Sequence, residues 1–175
     1  MSRELARAKE RYASAALTAY REAALNLQPV FGVPILLSGW SRRVEEAYNN
    51  QWPEMRHPDA GWDWHEIFRR HKDPDRFPIV MWGPNDRLCG LSLVLTTGRA
   101  VEVRFLEGDP RSDCPLKGRR IPIALEAAAC YGQGLGKTEI RVHPVNDALE
   151  DIYIRCYGFI KESPRGEKPF FRRAI

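Results

Sequence analysis

A glycine and three cations stand directly before a helix-forming run in the segment LKGRRIPIALEAAA, residues 116–129. Lys117, Arg119 and Arg120 surround Gly118, and the helix is predicted to begin near Ile121. The first amides of a helix have no partners within it and carry partial positive charge, so they bind phosphate, and nearby cations strengthen that binding. The segment therefore predicts a phosphate cradle. The plainer alternative is a solvated basic loop before a core helix.

Neighbouring elements must position such a cradle, and the hydrophobic pattern predicts their order. That order is helix, strand, two helices, three strands, helix, strand, helix and two strands. Ser41, Asp63 and Asn146 are predicted to be the N-caps of the second, third and last helices. Pro53 is predicted to end the second helix. Such a mixture of helices and strands indicates an α+β domain.

The strand before the cationic segment is AVEVRFLEGD, residues 100–109. Val101, Val103 and Phe105 alternate with Glu102, Arg104 and Leu106. Alternation of this kind is typical of a half-buried strand, because successive side chains point to opposite faces. We therefore expect the first three of these residues to share one face of a sheet.

The N-terminal segment predicts an amphipathic helix over Ser2–Leu27, ended by Gln28–Pro29. Its apolar stripe, which includes Leu5, Tyr12 and Tyr20, requires a partner surface. That surface is either the sheet of the same chain or a second copy in a homodimer.

Length and composition fit one domain with a substantial core, since the chain has 175 residues and 20.1 kDa. The net charge of +4 suits an anionic ligand such as a nucleotide cofactor, and suits RNA equally. No apolar run approaches the ~20 residues of a membrane span, and the N-terminus has no apolar block of the signal-peptide type. We expect a cytoplasmic protein without a membrane partner.

Metal and disulfide chemistry have no support in the sequence. The four cysteines are scattered without a CxxC pair, and the four histidines form no ligand pair at helical spacing. We expect buried thiols and no metal site.

Three segments together resemble the GNAT superfamily of N-acetyltransferases, over about Val33 to Ile175. LKGRRIPIALEAAA resembles the superfamily's Arg/Gln-x-x-Gly-x-Gly/Ala loop and following helix, which wrap the coenzyme A pyrophosphate. HPVNDALEDIY resembles the strand end, asparagine and helix that carry a tyrosine toward the thiol, and YGFIKES resembles the Gly-Phe turn after that helix.

The resemblance implies the acyl-CoA N-acyltransferase fold, in which helices flank a central, twisted, mixed and mostly antiparallel sheet. It divides the chain into an N-terminal helical extension, residues 1–30, and an acetyltransferase domain, residues 31–175. Acetyl-CoA is the implied co-substrate, and an amine is the implied acceptor. The residues that it implies for cofactor binding are Phe105, Leu106, Glu107, Lys117, Gly118, Arg119, Arg120, Ile121, Pro122 and Asn146.

The same resemblance implies the catalytic residues. Tyr153 would protonate the departing thiolate, and a carboxylate near the strand at 103–107 would deprotonate the acceptor ammonium. Glu102 and Glu107 are the candidates for this base, and Glu107 is preferred because it ends the strand before Gly108. The alternative for Glu107 is a solvated loop carboxylate.

The loop departs from the family pattern at three positions. Lys117 stands in place of Arg or Gln, and Arg120 and Pro122 replace the two loop glycines. Proline lacks an N–H, so one phosphate donor is lost. Arg120 either forms a salt bridge with a phosphate or blocks the site, and the sequence is compatible with both outcomes.

The position of the tyrosine is ambiguous by one residue. Tyr153 follows Asn146 by seven residues, two helical turns, and so shares its face. Counting back from Gly158–Phe159 selects Ile154 instead. We assign Tyr153, with a late bulge in the helix and Ile154 turned into the sheet.

Three functions fit these patterns. The first is an acetyl-CoA-dependent N-acetyltransferase that modifies a small molecule or protein amine. The second is a catalytically silent fold of the same kind that acts as a binding module, which the altered loop favours. The third is a toxin that acetylates aminoacyl-tRNA, which the net positive charge of the chain allows but does not require.

Overall fold

The computed structural model describes residues 3–52 and 61–175. Its helices and strands are α1 (Arg3–Phe31), β1 (Leu36–Ser38), α2 (Arg42–Gln51), α3 (Trp64–Arg70), β2 (Phe77–Gly83), β3 (Arg87–Thr97), β4 (Ala100–Gly108), α4 (Arg120–Gly134), β5 (Glu139–Val142), α5 (Asp147–Tyr157), β6 (Ile160–Glu162) and β7 (Phe170–Ala174). A 3₁₀ turn at Pro84–Asp86 joins β2 to β3. This is the order that the sequence predicted. Pro53, the predicted end of α2, lies outside the described residues.

One mixed sheet forms the centre of the fold, with strand order β1-β2-β3-β4-β5-β7-β6. β4 and β5 pair in parallel, and the other pairs of neighbours are antiparallel. Buried residues of α1, α4 and α5 form one core cluster with the sheet, and those of α2 and α3 form a second cluster with it. The predicted fold class is therefore confirmed. Among the described residues, no helix is long and apolar enough to cross a membrane.

Helix α1 is longer than predicted and packs on its own chain. It continues past Pro29 to Phe31, because a proline in the last turn removes only one of its hydrogen bonds, and Gly32 ends it at φ 63°. Ala19 and Ala23 are buried on its inner face, and the hydroxyl of Tyr20 donates to the carbonyl of Pro78 at 2.5 Å. The division of the chain at residues 30 and 31 stays a prediction.

Two of the three predicted N-caps form a side-chain cap. The carboxylate of Asp63 accepts from the amide of Glu66 at 3.0 Å, and the side chain of Asn146 accepts from the amide of Leu149 at 2.9 Å. Ser41 occupies the N-cap position of α2, but its side chain makes no capping hydrogen bond. Asn146 therefore fixes the start of α5 next to the end of β5.

A bulge in β4 changes the predicted alternation. Val103 pairs with Val94 and Phe105 pairs with Leu93, so Arg104 is an extra residue in β4. An extra residue moves every later side chain to the opposite face. Val103 therefore belongs to the cluster of α1 and α4, whereas Phe105 packs against the cluster of α2 and α3. The prediction that Phe105 shares a face with Val101 and Val103 is wrong.

Candidate active site

Strands β4 and β5 separate from one another at the centre of the sheet. Their parallel pairing runs from Ala100 opposite Glu139 to Val103 opposite Val142, where β5 ends. Within residues 3–52 and 61–175, the rest of β4, as far as Gly108, pairs only with β3, and its bulge at Arg104 comes directly after the last pair. One edge of β4 therefore faces an opening instead of a neighbouring strand.

A cavity of about 620 Å³ fills this opening, and we call it the cleft. Its walls are the second half of β4, the start of α4, and the segment from the end of β5 into α5. The predicted site residues that line it are Leu106, Glu107, Lys117, Arg120, Ile121, Asn146 and Tyr153. Four elements thus bring these distant positions to one place.

The cationic end of the cleft is the N-terminus of α4. Lys117 and the first-turn residues Arg120 and Ile121 line it, and the first helical hydrogen bond comes only with the amide of Ile123, which donates to Arg119 at 3.1 Å. Gly118, at φ 77°, provides the turn that leads the chain into the helix. First-turn amides and a lysine fit a pyrophosphate group.

Arg120 lies across the end of β4. Its Nη1 donates to the carbonyl of Asp109 at 2.7 Å, and a Cβ added at Gly108 would collide with the guanidinium group. Glycine at 108 is thus what allows the arginine to lie against the main chain. Arg120 therefore forms part of the cleft wall in this structure.

Three predicted cofactor-binding side chains, and Gly118, are not among the residues that line the cleft. The guanidinium of Arg119 donates to the carbonyl of Phe31 at 3.1 Å and lies over its ring, against the end of α1. The ring of Phe105 contacts Trp62 and His71 on the other face of the sheet, because of the bulge. Pro122 is also outside the lining.

Glu107 is a buried carboxylate at the end of β4. It is 3% exposed, and the indole N–H of Trp64 donates to its Oε2 at 2.7 Å. The alternative of a solvated loop carboxylate is therefore wrong. Trp64 follows the Asp63 cap, so the start of α3 positions the donor that orients Glu107.

Tyr153 faces the cleft and Ile154 faces solvent. Tyr153 is 5% exposed and packs with the ring of Phe159, whereas Ile154 is 43% exposed, so the expectation that Ile154 turns into the sheet is wrong. The extra residue is taken up in the last turn, where the amides of Gly158 and Phe159 both donate to the carbonyl of Tyr153. Burial, and secondarily Tyr157, raises the pKa of the Tyr153 phenol, which keeps it protonated at neutral pH.

Asp109 anchors the loop between β4 and α4. Its buried carboxylate accepts from Arg87 at 2.9 Å and from Arg111 at 2.8 and 2.9 Å. Burial disfavours its ionisation, but the hydrogen bonds from Arg111 and Arg87 outweigh burial and lower its pKa. Since its main chain also holds Arg120, this residue connects the loop to the cleft wall.

A second cavity of about 430 Å³, which we call the side cavity, adjoins the cleft. It is lined by Thr97, Glu102, Arg104, Arg141, His143, Glu167, Lys168 and Phe170. Arg104 and His143 line both cavities. The sequence did not single out His143, and its only signal is its position directly after β5. In residues 3–52 and 61–175, no group of three or more His, Cys, Asp and Glu side chains is placed to hold a metal.

The strand order, the separation of β4 from β5 and the cleft define the acyl-CoA N-acyltransferase fold. No family model matches the chain, and no curated protein matches it. Among solved structures, a GNAT-family acetyltransferase from Staphylococcus aureus Mu50 aligns at a TM-score of 0.55 and 11% identity, over 80% of this chain and 98% of that chain. One from Listeria monocytogenes 4b F2365 aligns at 0.54 and 17% identity, over 82% and 96%.

An acetyltransferase from Bacillus subtilis in complex with CoA aligns at a TM-score of 0.52 and 17% identity, over 80% of this chain and 95% of that chain. The chain therefore has the fold of the GNAT acetyltransferases. At these identities the similarity concerns the fold alone.

Proposed function

We propose that this protein is an acetyl-CoA-dependent N-acetyltransferase. The observation that supports this most is the opening between β4 and β5, which joins the N-terminus of α4 to the buried Tyr153 within one cleft. Such an opening gives an extended substrate an unpaired strand edge to follow and a cationic helix end for its phosphates. The fold shared with a CoA complex agrees with this reading.

Lys117 and the first-turn amides of Arg120 and Ile121 would bind the pyrophosphate. Lys117 supplies a charge-assisted contact, and the amides lie where the helix carries partial positive charge. Pro122 removes one donor from this turn. We expect binding to be carried by the amides and Lys117, and not by Arg119, whose side chain lies against α1.

Tyr153 would donate its hydroxyl proton to the departing thiolate. The phenol lines the cleft, is protonated at neutral pH and belongs to a helix whose start Asn146 fixes. A positioned acid of this kind contributes about 10²–10⁴-fold to a rate. Main-chain amides on the open edge of β4 would polarise the acetyl carbonyl.

Glu107 would hold the ammonium group of the acceptor. Its carboxylate lines the cleft beyond the bulge, and the Trp64 indole fixes its orientation. A buried carboxylate attracts a cation strongly because little water screens it. The acceptor is therefore expected to be an amine that is charged in solution.

A binding module without catalysis is the second candidate, and the placement of Arg120 favours it. The guanidinium lies across Gly108 within the cleft, where the family pattern has a glycine in place of the arginine. The Arg120 side chain takes up part of the cleft and so narrows the space for a substrate.

Thiol release from acetyl-CoA separates the two candidates. The acceptors are spermidine, L-lysine and a tetrapeptide with a free N-terminus, which represent polyamines, amino acids and protein termini. Enzyme-dependent release with at least one amine supports acetyl transfer. Calorimetric binding of acetyl-CoA without any release supports the binding module, and no binding at 1 mM (about a thousandfold above a Kd of 1 μM) contradicts both.

A further inference from the structure

His143 stands where the cleft and the side cavity meet. It directly follows Val142, the last β5 residue paired with β4, and its side chain lines both cavities. An acceptor amine that reaches the cleft from the side cavity must pass this imidazole. The same position is the apex of the opening, where β4 and β5 begin to separate.

Glu102 orients the imidazole. The Nε2 atom of His143 forms a hydrogen bond with Oε1 of Glu102, and Nη1 of Arg104 donates to the same oxygen at 2.8 Å. The hydrogen bond from His143 holds the pKa of the Glu102 carboxyl below its usual value, although partial burial opposes it. An ionised carboxylate only accepts hydrogen bonds. Nε2 must therefore carry the hydrogen, and Nδ1 of the neutral ring carries the lone pair.

The surroundings of Glu107 are less suited to proton removal. One of its oxygens accepts from the Trp64 indole, and the residue is 3% exposed. The side chain of His143 is 29% exposed and has a route to solvent through the side cavity. A base that must release its proton in each cycle needs such a route.

We propose that His143 is the general base that deprotonates the acceptor ammonium, and that Glu102 is the positioning residue that fixes its tautomer. This inference rests on the acetyl transfer proposed above. It assigns the base to a residue outside both sequence candidates, with Glu107 left to bind the ammonium.

The proton balance of the step is complete. Nδ1 of His143 takes one proton from the ammonium, and the nitrogen lone pair then forms the C–N bond to the acetyl carbon. The C–S bond breaks, sulfur keeps the electron pair, and it receives the hydroxyl proton of Tyr153. The new amide nitrogen loses its extra proton to the Tyr153 phenolate, and His143 passes its proton to solvent.

Several charged side chains line the side cavity together with the imidazole. They are Glu102 and Arg104 of β4, Arg141 of β5, and Glu167 and Lys168 of the segment between β6 and β7. Arg141 is itself held by Glu139 at 2.6 Å. Glu102 is the anion hydrogen-bonded to the ring, so its replacement is expected to have the largest effect.

Two nucleophiles distinguish a base from a structural residue. For whichever of the three acceptor amines named above reacts fastest, His143→Gln is expected to lower kcat/KM at pH 7.5 by about 10²-fold. For hydroxylamine, which is largely uncharged at that pH and needs no base, the enzyme-dependent rate is expected to fall by less than about threefold. Equal losses for both nucleophiles, or no loss for either, would overturn the assignment.

His65→Gln is the matched control. His65 also hydrogen-bonds a side-chain oxygen, that of Asn49 at 3.0 Å, but it lines neither cavity. Its replacement is expected to leave both rates unchanged. Glu102→Gln is expected to lower the amine rate by about tenfold and to shift the acidic limb of kcat/KM, whereas Glu102→Asp is expected to restore part of the rate.

Nitrogen NMR tests the geometry without turnover. The ring signals of His143 are assigned in ¹⁵N-labelled protein as those that disappear in His143→Gln. In the wild type at pH 8.5, we expect this ring to be protonated at Nε2. Glu102→Gln is expected to mix the two tautomers. An Nδ1-protonated ring in the wild type would overturn the inference even if acetyl transfer is observed. Absence of transfer to every nucleophile, with this tautomer present, would instead overturn the proposed function and the base assignment that rests on it.

Discussion

The guanidinium of Arg120 lies against the main chain of Gly108 and donates to the neighbouring carbonyl of Asp109 at 2.7 Å. The arginine thereby joins the first turn of α4 to the end of β4, across the cationic end of the cleft. The sequence showed only that an arginine stands where the family pattern has a glycine. Gly108 of β4, which has no side chain, is what makes room for the arginine.

A double-mutant cycle tests this contact. Arg120→Ala removes a charged hydrogen bond and is expected to cost about 1–2 kcal/mol of the free energy of unfolding. Gly108→Ala is expected to cost a similar amount, because the added methyl group displaces the guanidinium. In the double variant the two losses should not add, with a coupling of about 1 kcal/mol measured by urea unfolding. Additive losses would show that the two residues do not interact.

Tyr153→Phe is expected to lower the rate of acetyl transfer by about 10²-fold with little effect on acetyl-CoA affinity, because the hydroxyl acts mainly in the transition state. Initial rates and calorimetry measure the two quantities. Tyr157→Phe is the matched control, since Tyr157 lies on the same helix, with its ring centroid 6.2 Å from that of Tyr153, but does not line the cleft. A Tyr153→Phe variant with wild-type activity would mean that water protonates the thiolate.

Lys117 and Arg119 are expected to have different roles although they are two residues apart. Lys117→Ala should weaken acetyl-CoA binding by about tenfold through the loss of a charge-assisted contact. Arg119→Ala should leave the affinity near that of the wild type and lower the free energy of unfolding by about 1 kcal/mol, because it loses its contacts with Phe31. Calorimetry of both variants checks this. If Arg119→Ala lost more acetyl-CoA affinity than Lys117→Ala, the phosphate contact would belong to Arg119.

Asp109 is expected to contribute stability that depends on pH. Its pKa is lowered in the folded state, so its contribution is present above the unfolded value of about 3.9 and is lost as the pH falls toward the folded value. Asp109→Asn should cost about 2–3 kcal/mol at pH 7 and flatten the loss of stability as the pH falls below about 5. Urea unfolding across this range measures both effects.

Asp113→Asn is the control for this prediction. Asp113 pairs with the same Arg87 at 2.7 Å, but its side chain is 75% exposed, so solvent screens the pair. Its replacement is expected to change the stability little. An equal loss in the two variants would contradict a special role for the buried carboxylate.

The sequence predicted the order of helices and strands because hydrophobic periodicity and helix capping are local properties. Asp63 and Asn146 were recognised as caps, and counting from Asn146 placed Tyr153 in the cleft. The face on which Phe105 lies could not be predicted, because the bulge at Arg104 appears only when β4 pairs with β3. For a related reason, Arg119 was assigned to the cofactor instead of to α1, and His143 was missed. Their partners, Phe31 and Glu102, are distant in the sequence, and only the folded sheet brings them together.

Hydrogen–deuterium exchange of the wild-type protein with and without 1 mM acetyl-CoA, about a thousandfold above a Kd of 1 μM, tests the central claim most directly. If acetyl-CoA binds between the separated strands, amides should exchange more slowly in three segments, residues 104–108, 117–123 and 143–149, because each contains several residues that line the cleft. Helices α2 and α3 should be unchanged except where Trp64 contacts Glu107. Unchanged exchange throughout the chain, or protection confined to α2 and α3, would contradict the account.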